Sequence, residues 1–202
     1  MVHPPVDVEF FSADGPLSSN LPFDGEYYLY AGELRDYKRP DLAVKAALNM
    51  NRNLVVVGNG KLRCMLEREV AGRSNVAFAV RVDDERLRAL MAGAKALLFP
   101  GVEDFGIVPV EVQAAGSPVI ALGKGGALET VKAGETGLFF NEESVELLCA
   151  AIEDFESGSW SADVCRRNAM RFAKPVFMEK MKNILLGQPS ASGSAKLPGT
   201  AV

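Results

Sequence analysis

The chain is poor in the side chains that usually carry metal, redox or triad chemistry. It has one histidine and three cysteines in 202 residues. His3 stands alone in the opening segment, so no histidine-based triad or metal cluster can be built. Cys64, Cys149 and Cys165 are odd in number and lack CxxC spacing. They read as small buried hydrophobes in a reducing cytoplasm rather than as a redox or metal set. No apolar run approaches the ~20 residues needed to cross a bilayer, and no basic-then-apolar leader opens the chain. Positive charge is also scarce: 22 Lys and Arg against 26 Asp and Glu leave a net charge of −4. That balance argues against a broad nucleic-acid surface, which needs clustered cations. No internal repeat is visible.

What is present is ordinary in bulk and ordered in detail. Apolar residues make up 48% and charged residues 24%, as in soluble globular proteins, and the length suits one α/β domain with a sizeable core. Residues 1–25 hold prolines and glycines without a sustained period and read as an extended lead-in or linker. From there short apolar runs alternate with helical stretches. "YYLYA" (27–31), "NLVVVG" (53–58), "NVAFA" (75–79), "ALLFP" (96–100), "PVIAL" (118–122) and "GLFF" (137–140) read as strands. Helical patterns fall between them, as in Leu87, Leu90, Met91 and Ala94, and further helices run to Leu186. Residues 26–186 therefore predict a Rossmann-like, doubly wound parallel sheet of about six strands with extra C-terminal helices. Residues 187–202, small, polar and rich in proline and glycine, predict a disordered tail. Such sheets bind ligands beyond the carboxyl ends of their strands.

The stretch "FPGVEDFGIVPVEVQAAGSPVIAL" (99–122) leaves one such end. A helix starting near Gly106 presents unpartnered amides and a partial positive charge, a ready anion site that glycine lets a ligand approach. Pro109 fits the first turn, where its missing N–H costs nothing. Glu103 precedes the helix and Glu111 lies about one turn inside it. Two acids around an amide-rich positive tip suit a ligand with hydroxyls and an anionic linkage, as a nucleotide sugar has. The same acids also read as a helix cap and a solvated surface group.

Glu103 and Glu111, seven residues apart in "EDFGIVPVE", are similar to the paired glutamates of family 4 (group 1) retaining glycosyltransferases of GT-B fold. The order and spacing of "PPVDVEFF", "AGELRDYKRPDLAVKA", "LVVVGNG", "VRVDDERLRALMAGAKALLFPG", "AAGSPVIA" and "GGALETVKAGETGLFF" also resemble that family, over residues 3–175. The likeness implies one half of a GT-B fold, the C-terminal donor-binding domain, with Glu103 and Lys38 as catalytic residues. It places ribose hydroxyls on Glu111, the transferred sugar near Glu103, and sugar and diphosphate on the backbone of Phe105, Gly106, Ile107 and Val108. Lys38 would neutralise the diphosphate, Gly32 at the end of the first strand would bind the donor with it, and the backbone at Arg81 and Val82 would hold the base. Glu33 stands where the family usually has arginine, so Arg35 is the expected substitute beside Lys38.

The resemblance further implies a hexosyltransferase using a nucleotide-diphosphate sugar, with no cofactor or metal. The mannosyl branch using GDP-mannose is the nearest in motif, and UDP-glucose stays open. The acceptor, a polysaccharide, oligosaccharide or lipid-linked glycan, would be held by an N-terminal domain missing from this chain, which alone would transfer nothing. No nucleic acid is expected. A cytoplasmic site follows, with peripheral association of the longer enzyme at the inner membrane face left open. A nucleotide-sugar epimerase of GT-B fold and a stand-alone nucleotide-sugar-binding module are the alternatives. A dinucleotide dehydrogenase fits least, because "GNG" lacks the third glycine and the later ribose-binding acid. "VDDE" (82–85) reads as helix capping before metal binding. Glu129 reads as a brace for its short helix.

Overall fold

The computed structural model describes residues 2–12, 21–80 and 82–187. Arg81 and all of the expected tail beyond Gly187 lie outside the described residues. The order is α1 (Val8–Ser12), β1 (Tyr28–Ala31), α2 (Pro40–Met50), β2 (Leu54–Val57), α3 (Arg63–Glu69), β3 (Val76–Ala79), α4 (Asp84–Ala92) and β4 (Ala96–Phe99). Then follow α5 (Ile107–Ala115), β5 (Val119–Leu122), α6 (Ala127–Thr130), β6 (Gly137–Phe140), α7 (Val145–Ser157), α8 (Ala162–Ala169) and α9 (Lys174–Leu185). Each strand falls inside its predicted apolar run.

The six strands form one parallel sheet in the order β3-β2-β1-β4-β5-β6. Side chains alternate across it, and both faces are covered, which is why the strand sequences are continuously apolar. Leu29, Val55, Leu97 and Val119 enter one layer with α1, α4 and α5. Tyr28, Leu54, Leu98 and Ile120 enter the other with α2, α3 and α7. Fully burying one such leucine contributes about 1.5–3 kcal/mol. No helix among the described residues is long and apolar enough to cross a membrane.

Two expectations change. The lead-in is not wholly extended: Asp7 Oδ1 accepts from the Phe10 amide at 3.3 Å, and one turn of helix buries Val8 and Phe11 against the core. A spacing of i, i+3 over five residues is too short to register as a period. Of the cysteines, Cys165 is buried and its thiol is pushed up to about 11 by desolvation, whereas Cys64 is exposed on α3 and does not pack as a core residue. Only Leu66 of α3 is buried, while Cys64, Met65, Arg68 and Glu69 are exposed.

Candidate functional site

β1 and β4 are neighbours at the centre of the sheet, yet α2 follows β1 onto one face and α5 follows β4 onto the other. The two outgoing loops therefore splay apart and leave a crevice at the carboxyl ends, the switch point of a doubly wound sheet. From β1 the chain passes Gly32 and turns through a short 3₁₀ segment at Asp36–Lys38. From β4 it runs through Gly101 to Gly106, the residue before α5. A Cβ on Gly101 would lie 2.5 Å from the Lys38 Cα, so only glycine lets the two loops touch.

At that contact Lys38 Nζ donates to Glu103 Oε1 at 2.7 Å, with the side chains 17% and 21% exposed. Partial burial screens such a pair less than open water does, and each charge would be costly without the other. Around it lies a hollow of about 590 Å³, lined by Pro4, Tyr37, Lys38 and residues 102–108. That volume suits a small-molecule site. The α5 tip forms part of its wall. Gly106 has φ 81°, ψ 79°, and no side chain among the described residues caps the helix. Its first amides and dipole are thus available to an anion. The loop is held from behind by the Gly126 amide, which donates to the Glu103 carbonyl at 2.8 Å.

The structure brings together Lys38, Glu103, Phe105, Gly106, Ile107 and Val108 as lining residues. Gly32 adjoins them: a Cβ there would sit 3.7 Å from both Lys38 Cδ and Tyr30 Oη. Glu111 is half-buried in α5, and burial together with the charge of Asp84 pushes its carboxyl up to about 7. It does not line the hollow that Glu103 lines. Arg35 does not line the hollow beside Lys38. Its Nε donates to Glu33 Oε1 at 2.6 Å in an exposed bridge. The i, i+2 relation expected to carry Arg35 to the place of Glu33 instead sets the two side chains against each other. Val82 packs partly against the core, and Arg81 lies outside the described residues. Asp83 caps α4 by accepting from the Arg86 amide at 2.8 Å, the structural role expected for "VDDE".

Sequence reasoning missed four residues here. Tyr37 and Pro4 line the hollow. Tyr30 is buried beneath it, its hydroxyl held protonated chiefly by desolvation and then by the charge of Glu103. His3 lies against Phe105, with ring centroids 5.7 Å apart, and within 2.7 Å of Glu129. Glu129 thus engages the N-terminal segment rather than only its own helix. Strand alternation around Tyr30 and adjacency to Lys38 for Tyr37 were available signals. Nothing local marks His3 or Pro4.

A central crevice at the switch point of an open parallel sheet defines a Rossmann-like α/β ligand-binding domain. The chain belongs to the family of glycosyl transferases group 1, whose sequence pattern matches residues 17–172. It is 31% identical over 178 residues to the D-inositol 3-phosphate glycosyltransferase of Streptomyces avermitilis, covering 77% of this chain and 38% of that one. To the protein of the same name from Acidothermus cellulolyticus it is 30% identical over 198 residues, covering 85% and 44%. The chain therefore spans less than half the length of these relatives. Sucrose-phosphate synthase from Thermosynechococcus elongatus superposes with a TM-score of 0.79 at 23% identity, over 92% of this chain and 51% of that one. Anabaena HepE in complex with UDP and glucose gives 0.75 at 18% identity, over 93% and 56%. These structures share the fold.

Proposed function

We propose that this chain is the donor-binding, C-terminal half of a retaining hexosyltransferase, working on an acceptor glycan or lipid-linked sugar held by an N-terminal domain. The observation that carries the reading is the Lys38–Glu103 pair beside the uncapped tip of α5, at the switch point of the sheet. In the free protein each partner neutralises the other. A bound donor exchanges these partners: Lys38 turns to the diphosphate and Glu103 to hydroxyls of the sugar. Glu111, one turn farther along α5, takes ribose hydroxyls. As the glycosidic bond breaks, negative charge builds on the leaving diphosphate. A fixed cation and helix amides stabilise that change more than the ground state, which is what lowers a barrier. A charge pair at about 4 Å contributes on the order of 4 kcal/mol at an effective dielectric near 20, before desolvation. The acceptor hydroxyl then attacks the anomeric carbon from the face the nucleotide leaves, through an oxocarbenium-like state, and its proton passes to the departing diphosphate.

The motif "EDFGIVPVE" supports GDP-mannose as donor, and the likeness to a protein solved with UDP and glucose supports UDP-glucose. A thermal-shift panel of UDP, GDP, ADP and their sugars separates the two. Ligand at about ten times its Kd adds roughly 1.4 kcal/mol of stability. We expect one diphosphate to raise Tm, Lys38→Ala to weaken it about tenfold or more, and Glu111→Ala to weaken the nucleotide as well. No shift with any of them, or full affinity in Lys38→Ala, refutes the reading.

A further inference from the structure

The N-terminal segment is tied to the hollow by contacts that come from distant parts of the chain. The Val6 amide donates to the Phe172 carbonyl at 2.9 Å, and Val6 pairs with Ala173. Pro4 forms part of the hollow wall. His3 precedes Pro4, its side chain only 18% exposed. Its Nε2 lies 2.7 Å from Glu129 Oε2. Its ring stacks on Phe105 at 5.7 Å and 28° and meets the edge of Phe172 at 5.2 Å and 72°, while Phe105 and Phe172 meet at 5.5 Å. Phe105 immediately precedes Gly106, the residue that opens α5. The short helix α6 and the residue before it hold both sides of this arrangement: Glu129 binds His3, and Gly126 donates to the Glu103 carbonyl.

We propose that His3 is a positioning residue for the hollow. Held by Glu129, its ring pins residues 2–6 against the β4–α5 loop and thereby fixes the Pro4 wall, the seat of Phe105 and the aim of the α5 amides. A loop has many accessible conformations, and fixing them before a ligand arrives removes a cost from binding. The inference rests on the hollow being the diphosphate site, so its test has one arm that needs no ligand.

In the full chain, His3→Ala removes ring and hydrogen bond, His3→Gln keeps a donor for Glu129, and Glu129→Ala removes the anchor. The ligand-free arm follows the amide resonances of Gly106, Ile107 and Val108, and the second measures Kd for UDP and GDP. Melting temperature identifies any variant that has simply lost its fold, and the remaining variants then decide. We expect His3→Ala and Glu129→Ala to move those three resonances and to weaken the bound diphosphate by about tenfold, the worth of a partly buried hydrogen bond to a charged group. His3→Gln should recover most of that loss, and the two alanine substitutions should be non-additive in combination. Resonances unmoved in a folded His3→Ala chain, or affinity within about twofold of the native chain, overturns the role. If neither diphosphate binds the native chain, the site reading fails, and the amide arm alone decides whether His3 positions the loop.

Discussion

At the scale of single residues, burial is what turns Glu111 from a surface acid into a titrating group. Desolvation, with Asp84 adding to it, pushes its carboxyl from 4.5 up to about 7. Between those values the folded chain keeps a proton that the unfolded chain has released. Stability therefore falls as pH rises through that window, by roughly 1–3 kcal/mol in total. Urea denaturation at about pH 5 and about pH 8 should show this slope in the native chain and its loss in Glu111→Gln. On the proposed binding mode a ribose hydroxyl donating to Glu111 favours the ionised form, so nucleotide-sugar affinity should rise over the same range and stay flat in that variant. Arg39 poses a different question, because it holds φ 51°, ψ 46°, a left-handed conformation unusual without glycine. Two bonds to Asp41, at 3.0 and 3.1 Å, and a contact with Glu143 fix it there, directly after Lys38. Arg39→Ala keeps the strain and loses the bonds, whereas Arg39→Gly loses both. Arg39→Gly should be more stable than Arg39→Ala by about 1 kcal/mol, measured by urea denaturation.

At the scale of elements, α5 is the piece on which the site turns, and a buried polar network orients it. Gln113, fully buried, donates through Nε2 to the Pro109 and Thr130 carbonyls, each at 2.9 Å, and accepts from Asn168 Nδ2 at 2.6 Å. The network joins α5 to α6 and α8. Gln113→Ala should cost roughly 2–4 kcal/mol by stranding buried partners and opening a cavity, with an unchanged m-value in urea. The extent of α5 was legible from proline at its start and glycine at its end. The network was not, because the partners of Gln113 lie 17 and 55 residues away. A glutamine in an apolar helix carries no sign of whom it will meet.

At the scale of the whole molecule, the chain covers 38% and 44% of two of its curated relatives. Its hollow is open, with Tyr37, Val102 and Ile107 exposed around it. On the proposed function, a reaction that needs water excluded and an acceptor aligned calls for a second, acceptor-holding wall. The purified chain should bind a nucleoside diphosphate yet transfer no sugar from radiolabelled UDP-glucose or GDP-mannose to acceptor glycans. Transfer above background would refute the proposed need for an acceptor-holding domain.

The sequence alone determined the parallel sheet, its six strands and the loop that carries Glu103, because apolar period and turn chemistry are local properties that propagate into topology. Tertiary structure decided which charges meet. Lys38 found Glu103 across 65 residues, and His3 reached Glu129 across 126. Pairings of that kind depend on where helices cross the sheet and on which glycines let backbones touch, and one strand of text does not contain those distances.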